Sequence, residues 1–135
     1  MSEILVDNLT GKTSAGDITV TSEGGAATQS LQQGLAKHFC IFNGTGTIAV
    51  DESFNNASLI DYGTAHHGVT LTSAFSNLHF SLTGATVGNP NAYNHLVTDA
   101  TNPKTSSSAT FQLRDHSASL YDTDTIDLVS HGDLA

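Results

Sequence analysis

The sequence predicts an all-β protein, built as an antiparallel β-sandwich or a jelly-roll-like version of one. Short segments that alternate apolar and polar residues recur after residue 36, and turn-forming residues separate them. The composition agrees, because 12 glycines, the lack of tryptophan and many Ser, Thr and Asn residues suit strands and turns better than long helices. We expect one domain of about seven or eight strands, the arrangement typical of short strands at regular spacing.

Residues 1–34 lack this pattern and are predicted to form an extended N-terminal arm. They are polar and punctuated by glycine, with a short alternating patch at residues 17–21. The stretch "ATQSLQQGLAK" suits either a short helix or an extended connection. Such a segment buries too little apolar surface to hold a fixed fold alone in water. We therefore expect the arm to order against a partner or against other copies, and residues 35–135 to form the sandwich domain.

The first two strands of the sandwich are predicted from a hairpin in the stretch "FNGTGTIAVDESFN", residues 42–55. Asn43 and Gly44 form the strongest short signal for a two-residue turn, since both positions tolerate positive φ. A turn centred there pairs Phe39 with Ile48 and fixes which side chains share a face. The residues predicted to face the core from this hairpin are Phe39, Ile41, Ile48 and Val50.

Four further segments alternate with period two and are predicted to be strands. They read "GVTLT", "LHFSL", "TFQLR" and "TIDLV", and the segments between them are rich in Gly, Asn, Asp and Pro. Alternation along a strand sends successive side chains to opposite faces, so one face of each segment is apolar. The inward positions are predicted to be Val69, Leu71, Leu78, Phe80, Leu82, Phe111, Leu113, Ile126 and Leu128.

The charge of the chain argues against several classes of partner. Four Lys and Arg residues stand against 13 Asp and Glu residues, for a formal net charge of −9. Nucleic acid and anionic membranes both require a cationic surface, so we expect neither as a partner. The single cysteine, Cys40, cannot form an intrachain disulfide. The N-terminal stretch has no secretory pattern and no segment has 18 apolar residues, so we expect folding in a cytoplasm and no membrane insertion.

No catalytic or metal-binding constellation is predicted. His66 and His67 are adjacent, so on a strand they point to opposite faces, and no H-x-H or H-x-x-x-H spacing occurs. A ring of one histidine around a three-fold axis stays open as an alternative. Asp122, Asp124 and Asp127 offer carboxylates for calcium, but they lack the EF-hand spacing, and a charged strand flank is the simpler interpretation. We expect no enzyme activity, no cofactor and no metal.

Aromatic residues in polar segments are the candidates for recognition. Tyr62 lies in "LIDYGTAHHG", Tyr93 in "NPNAYNH" and Tyr121 in "SLYDTD". Tyrosine gives a large contact area at a small entropic cost, which makes it a common anchor in binding sites, although it also caps loops. Tyr62 and Tyr93, together with His66 and His67, are the predicted residues for binding a receptor or a glycan.

Residues 34–77 contain a series of motifs that resembles a known module. The series runs through "FNGTGT", a short aliphatic strand, "SFN", Asp61 with Gly63 and Thr64, and "VTLT". It resembles a module of marine bacteriophage virion proteins, often described as tail-fibre or fibre-like. The likeness covers about a third of the chain. The module usually has a tryptophan in its first strand, where this chain has Phe39, and the part from Gly84 onward matches nothing in particular.

The resemblance implies a structural or adhesive virion protein, commonly a homotrimer, without enzymatic activity. The chain carries no shaft repeat, coiled coil or collagen-like run, so we expect a short knob, a capsid decoration or cement protein, or a distal domain. The expected partners are other copies of the chain and other capsid or tail proteins. The expected location is the virion, after synthesis in the host bacterial cytoplasm. The alternative is a host-receptor or carbohydrate-binding adhesin domain of a tail fibre.

Overall fold

The computed structural model describes residues 3–87 and 95–135. Its backbone forms two compact units, Met1–Leu35 and Ala36–Ala135. The second unit consists of two antiparallel sheets that pack against each other, so the prediction of an all-β sandwich is confirmed. The finer jelly-roll description stays a prediction.

The first unit contains little regular structure. Strands β1 (Thr19–Thr21) and β2 (Thr28–Ser30) form an antiparallel pair, and helix α1 (Leu31–Gly34) follows. The Ser30 hydroxyl caps this helix by accepting a hydrogen bond from the N–H of Gln33 at 3.4 Å. Helix α1 has four residues, and no helix in the described part of the chain is long and apolar enough to cross a membrane.

Within residues 36–87 and 95–135, the second unit has eight strands in two sheets of four. In chain order they are β3 (His38–Asn43), β4 (Ala49–Phe54), β5 (Asn56–Gly63), β6 (His66–Leu71), β7 (Ser81–Val87), β8 (His95–Thr98), β9 (Ser108–Arg114) and β10 (Thr125–His131). The first sheet has the order β4-β3-β10-β7, and the second has the order β5-β6-β9-β8. The C-terminal strand β10 therefore lies in the middle of the first sheet, between β3 and β7.

The chain passes from the first sheet to the second at Asn55, which lies between β4 and β5. Asn55 has a φ of 59°, a left-handed conformation that asparagine adopts more readily than most residues. Its amide nitrogen donates to the carbonyl oxygens of Lys37 at 2.9 Å and Ser73 at 3.0 Å, and its Oδ1 accepts from the Ser73 N–H at 2.7 Å. The side chain of Asn55 thus ties the crossing point to the start of β3 and to the end of β6.

The core lies between the two sheets and is formed by the inward side chains of the central strands. The ring of Phe42 from β3 meets the ring of Phe111 from β9 edge-on, with centroids 6.3 Å apart. Phe75 and Phe80 stack at 4.2 Å in the segment between β6 and β7. The buried apolar residues are Cys40, Phe42, Ala65, Val69, Phe75, Phe80, Ala109, Phe111, Leu113, Ile126 and Leu128, with Leu71 packed against them.

The predicted hairpin exists, but its turn and register differ from the prediction. Strands β3 and β4 pair Phe39 with Phe54 and Phe42 with Val50, so residues 44–48 form the connection in place of a two-residue turn. The positive φ lies at Gly46, at 62°, and not at Asn43 or Gly44. The turn is organised by the Asn43 side chain, which accepts from the N–H of Thr45 at 3.0 Å and donates to its carbonyl oxygen at 3.0 Å.

The core face of this hairpin was also predicted wrongly. Cys40 and Phe42 are fully buried, whereas Phe39 and Ile41 lie on the opposite face and are only half-buried. Val50 is 43% exposed, and Ile48 is half-buried in the connection. The segment "HFCIFN" is apolar on both faces, so alternation alone does not decide which face is inward. Contact with β10, which pairs with β3 along its length, decides it.

One further strand is shifted relative to the prediction. The segment "LHFSL" at residues 78–82 was expected to be a strand with Leu78 inward, but β7 begins at Ser81, and Leu78 is 51% exposed. Phe80 is buried as predicted, since its ring stacks on Phe75 and lies under the Lys104 ammonium, 4.3 Å from the ring centroid. The Lys104 Nζ also donates to the carbonyl oxygen of Phe80 at 2.6 Å.

Candidate functional site

Two of the predicted recognition residues meet on the second sheet. The rings of Tyr62 on β5 and His66 on β6 stack with their centroids 4.7 Å apart and an interplanar angle of 26°. His66 Nε2 lies 2.7 Å from a carboxylate oxygen of Asp99, which follows β8. We call Tyr62, His66 and Asp99 the tyrosine cluster. It combines an exposed aromatic ring with an imidazole that forms hydrogen bonds. Binding sites for polar ligands typically combine such groups.

A bulge in strand β5 determines the position of the Tyr62 side chain. The pairing of β5 with β6 shifts register between Asp61 and Gly63, so Tyr62 lies at a bulge. Gly63 has a φ of 120°, which a residue with a side chain rarely adopts, and its N–H donates to Asp61 Oδ1 at 2.9 Å. The Tyr62 ring lies close over Gly68, where an added Cβ would be 3.3 Å from a ring atom. The side chain is 43% exposed.

The carboxylate of the cluster is held in place by a loop. Asp99 accepts hydrogen bonds from the Asn102 side chain at 2.9 Å and from the N–H groups of Thr101 at 2.9 Å and Asn102 at 3.1 Å. These donors, the Asn102 amide first and the Thr101 N–H second, lower the pKa of Asp99 to about 2. Because the carboxylate is ionised at neutral pH, it is a fixed acceptor that orients the His66 ring.

His67 points the other way and is 1% exposed. Its ring contacts Phe42 at 5.8 Å and Phe111 at 6.2 Å between centroids. Its two ring nitrogens lie 3.9 Å from carboxylate oxygens of Asp61 and Asp122, too far for hydrogen bonds. Burial lowers the pKa of His67, and the carboxylates of Asp122 and Asp61 oppose that shift. His67 is a core residue in this structure, so its prediction as a recognition residue was wrong.

None of the other candidate residues that the structure describes joins the tyrosine cluster. Tyr93 lies outside the described residues. Tyr121 is 45% exposed and does not contact the tyrosine cluster through any ring stack or hydrogen bond in the described part of the chain. Asp122 accepts a hydrogen bond from the N–H of Ala65, a residue with a φ of 53°. Within residues 3–87 and 95–135, no group of three or more His, Cys, Asp or Glu side chains is placed to hold a metal ion.

Asp99 is the member of the cluster that the sequence did not single out. The local pattern "DATN" does contain a signal, since an aspartate often accepts hydrogen bonds from the two or three residues that follow it. That signal predicts a turn at Asp99, but it does not predict that the turn will lie beside His66. Their proximity depends on β9, which pairs with both β6 and β8 and so brings His66 within reach of the loop after β8.

Comparison of the chain with known protein families, with curated proteins and with solved structures found no match.

Proposed function

We propose that the chain is a structural protein of a bacteriophage virion that acts through protein–protein interfaces, as a capsid decoration or cement protein or as a short fibre. The motifs of residues 34–77 motivate the virion assignment. The observation that carries the interface assignment is the N-terminal unit, which leaves a run of large apolar side chains in solvent. Catalysis, cofactors and metals have no part in this function.

The exposed run lies in the first ten residues. Ile4 and Leu5 are each 83% exposed, Val6 is 56% exposed and Leu9 is 62% exposed. Burying one such side chain fully contributes about 1.5–3 kcal/mol, so a partner that covers the run gains several such contributions. Residues 3–9 contain no helix or strand. They suit an attachment arm that becomes ordered when it binds another virion protein or a second copy.

The sheet edges give a second reason for assembly. Strands β4 and β7 are the edges of the first sheet, and β5 and β8 are those of the second. Strand β7, "SLTGATV", carries no charged residue that would discourage pairing with another chain. Symmetric association covers such edges and buries apolar surface in one step. A homotrimer, as the resemblance implies, is the assembly we propose.

The proposal is tested with phage particles that lack their own copy of the chain. Particles are complemented with the full-length chain, with a chain lacking residues 2–33, or with the triple variant Ile4→Ser, Leu5→Ser, Val6→Ser. We expect the full-length chain on purified particles and neither altered chain, although both stay folded. Leu120→Ser is the matched control, because Leu120 is 42% exposed outside the arm. Normal incorporation of the truncated chain would rule out the arm as the attachment element.

A second candidate function is recognition of a host glycan or receptor through the tyrosine cluster. The observation that favours it is an exposed aromatic ring stacked on a histidine whose orientation a carboxylate fixes. Aromatic rings bind sugars by stacking, and fixed acceptors select hydroxyl groups. On a glycan array, Tyr62→Ala should abolish saturable binding. Tyr121→Ala should preserve it, since Tyr121 is equally exposed at 45% and lies outside the cluster. If the unaltered chain binds no glycan, the recognition function is ruled out and only the structural function remains.

A further inference from the structure

The outer face of the first sheet carries two neighbouring rows of side chains. This face is the side of the sheet that points away from the core, and the strand register defines its rows. The first, which we call the apolar row, consists of Phe54, Phe39, Val129 and Thr83. The second, which we call the acidic row, consists of Glu52, Ile41, Asp127 and Ala85.

The apolar row provides a surface for an aromatic or aliphatic group. Phe39 and Phe54 stack with centroids 6.3 Å apart, and Phe54 is 53% exposed. A shallow groove runs over the same face and is lined by Phe39, Ile41, Thr83, Ala85, Asp127 and Val129. Exposed aromatic and aliphatic side chains beside a groove are typical of binding surfaces, because covering them removes apolar area from water.

The acidic row carries two carboxylates that form no salt bridge with any residue that the structure describes. Glu52 on β4 and Asp127 on β10 flank Ile41 on β3. Neighbouring strands lie about 4.8 Å apart, so the backbones that carry the two acids are about 10 Å apart. None of the three salt bridges among the described residues involves either acid. A cationic side chain lying over Ile41 would therefore have a carboxylate on each side.

The lysine and arginine side chains of residues 36–135 do not lie over the acidic row. Lys104 bonds to the carbonyl oxygen of Phe80, and the Arg114 guanidinium bonds to Gln112 and to the carbonyl oxygen of Ala118. Lys37 is 6% exposed. None of them lines the groove. The positive charge that complements the acidic row must come from outside this part of the chain.

We propose that the outer face of the first sheet binds a segment of a partner protein in which an arginine or lysine lies beside an aromatic or aliphatic side chain. The proposal rests on the proposed interface function and names the chemistry of the partner. Charge complementarity favours such a partner over a second copy. Residues 36–135 hold 3 basic and 9 acidic residues, a net charge of 3 − 9 = −6, so two such faces repel each other.

The geometry also specifies the spacing within the partner segment. Phe39 and Ile41 are two residues apart on β3, so the two rows are about 6.8 Å apart along the strand. In an extended peptide, side chains at positions i and i+2 point to the same side with the same spacing. A segment with an aromatic residue at i and an arginine at i+2 can place one side chain on each row.

The test is a titration of the full-length chain with the acetylated and amidated peptide Gly-Phe-Ser-Arg-Ser-Phe-Gly. Nuclear magnetic resonance follows the methyl groups of Ile41, Ala85 and Val129. We expect saturable shifts at these methyls that weaken with added salt. The peptide with Gln in place of Arg should bind about fivefold more weakly, because it lacks the charge that pairs with the two carboxylates of the acidic row. Equal affinity of the two peptides, or shifts confined to other parts of the chain, would overturn the proposal.

Variants of the acidic row provide the matched control. The double variant Glu52→Gln, Asp127→Asn should bind the Arg peptide as weakly as the unaltered chain binds the Gln peptide. Glu23→Gln with Asp124→Asn removes the same charge at exposed positions outside the row and should leave the affinity unchanged. If both double variants weaken binding equally, net charge explains the affinity and the proposed site is wrong.

The same spectra distinguish the other occupants. Shifts at Ile41 and Val129 that depend on the concentration of the chain alone would identify a second copy as the occupant. Nuclear Overhauser contacts from the side chains of Ile4 or Leu5 would identify the arm. Either result would overturn the proposal. Deletion of residues 2–33 tests attachment to the particle, whereas the titration tests the sheet face, so the two proposals can fail separately.

Discussion

Individual polar side chains determine where the loops of this sandwich lie. Asn55, Asp99 and Asn43 each form several hydrogen bonds with nearby backbone groups, and each lies where the chain leaves a strand. Buried backbone groups need such partners when no neighbouring strand supplies them. Residue type predicts a turn at these positions, but it does not predict which distant segment the turn will contact.

Substitution of Asn55 tests the strongest of these anchors. Asn55→Ala removes bonds to the backbone of Lys37 and Ser73 and places alanine, which adopts the left-handed region less readily than asparagine, at a φ of 59°. We expect a loss of about 2–4 kcal/mol in the free energy of unfolding, measured by urea denaturation. Glycine adopts the left-handed conformation freely. If backbone strain contributes, Asn55→Gly should therefore lower the free energy of unfolding less than Asn55→Ala does. If only the lost hydrogen bonds contribute, the two variants should lose equal stability. Unchanged stability in both variants would contradict the anchoring role.

Two histidines that are buried in the described part of the chain, His38 and His67, predict a loss of stability in acid. Burial lowers the pKa of both His38 and His67 below the value of about 6.5 that histidine has in an unfolded chain. As the pH falls below about 6.5, the unfolded chain binds protons that the folded chain resists, so the folded state loses stability. Each such histidine contributes up to about 1.4 kcal/mol per pH unit until its lowered pKa is reached.

The measurement compares the free energy of unfolding at pH 7.5 and pH 5.5. The unaltered chain should be less stable at pH 5.5, and His67→Leu should reduce the difference. His116→Gln is the control, because His116 is exposed and its replacement should leave the difference unchanged. If His67→Leu and the unaltered chain lose equal stability, the protonation of His67 does not couple to folding.

At the scale of the elements, the sequence predicted the central strands best. The alternating segments "GVTLT", "TFQLR" and "TIDLV" fall on β6, β9 and β10, and their inward residues Val69, Phe111 and Leu128 are buried. Strand β5 was not singled out because it is a sheet edge, and its burial does not alternate regularly. Strand β3 was placed with the wrong face inward, since both of its faces are apolar and only its pairing with β10 selects one.

The structure of the turn between β3 and β4 predicts that substitutions at two of its glycines differ in their effect on stability. A Cβ at Gly44 would lie 2.8 Å from the carbonyl oxygen of Thr123 and 2.5 Å from the Ile126 side chain, whereas one at Gly46 would meet no atom within 4 Å. Gly46 has a φ of 62°, which asparagine tolerates. Gly44→Asn should therefore destabilise the chain by about 1–3 kcal/mol through overpacking. Gly46→Asn should be nearly neutral.

Urea denaturation of the two variants decides between the observed turn and the one that the sequence suggested. A two-residue turn at Asn43 and Gly44 would require positive φ at both positions, and asparagine would then be well tolerated at Gly44. A neutral Gly44→Asn together with a costly Gly46→Asn would mean that the hairpin has the register that was first predicted.

At the scale of the whole molecule, the sequence predicted the fold class but only part of the candidate site. Alternation and turn residues are local, and they are sufficient to predict a sandwich. The contact of Tyr62 with His66, the approach of Asp99 and the rows on the outer face all depend on strand order. Pairing between strands distant in the sequence, such as β3 with β10, is set by the packing of the complete core.

The central claim is that the chain acts through interfaces between proteins, and we propose the N-terminal arm as the contact that joins its copies into a homotrimer. The mass of the purified protein in solution tests this claim most directly. Light scattering should give three times 14.0 kDa for the full-length chain. It should give a single copy for the chain lacking residues 2–33, with circular dichroism confirming that this chain retains its strands. A full-length chain that is monomeric, or a truncated chain that remains a trimer, would contradict the claim.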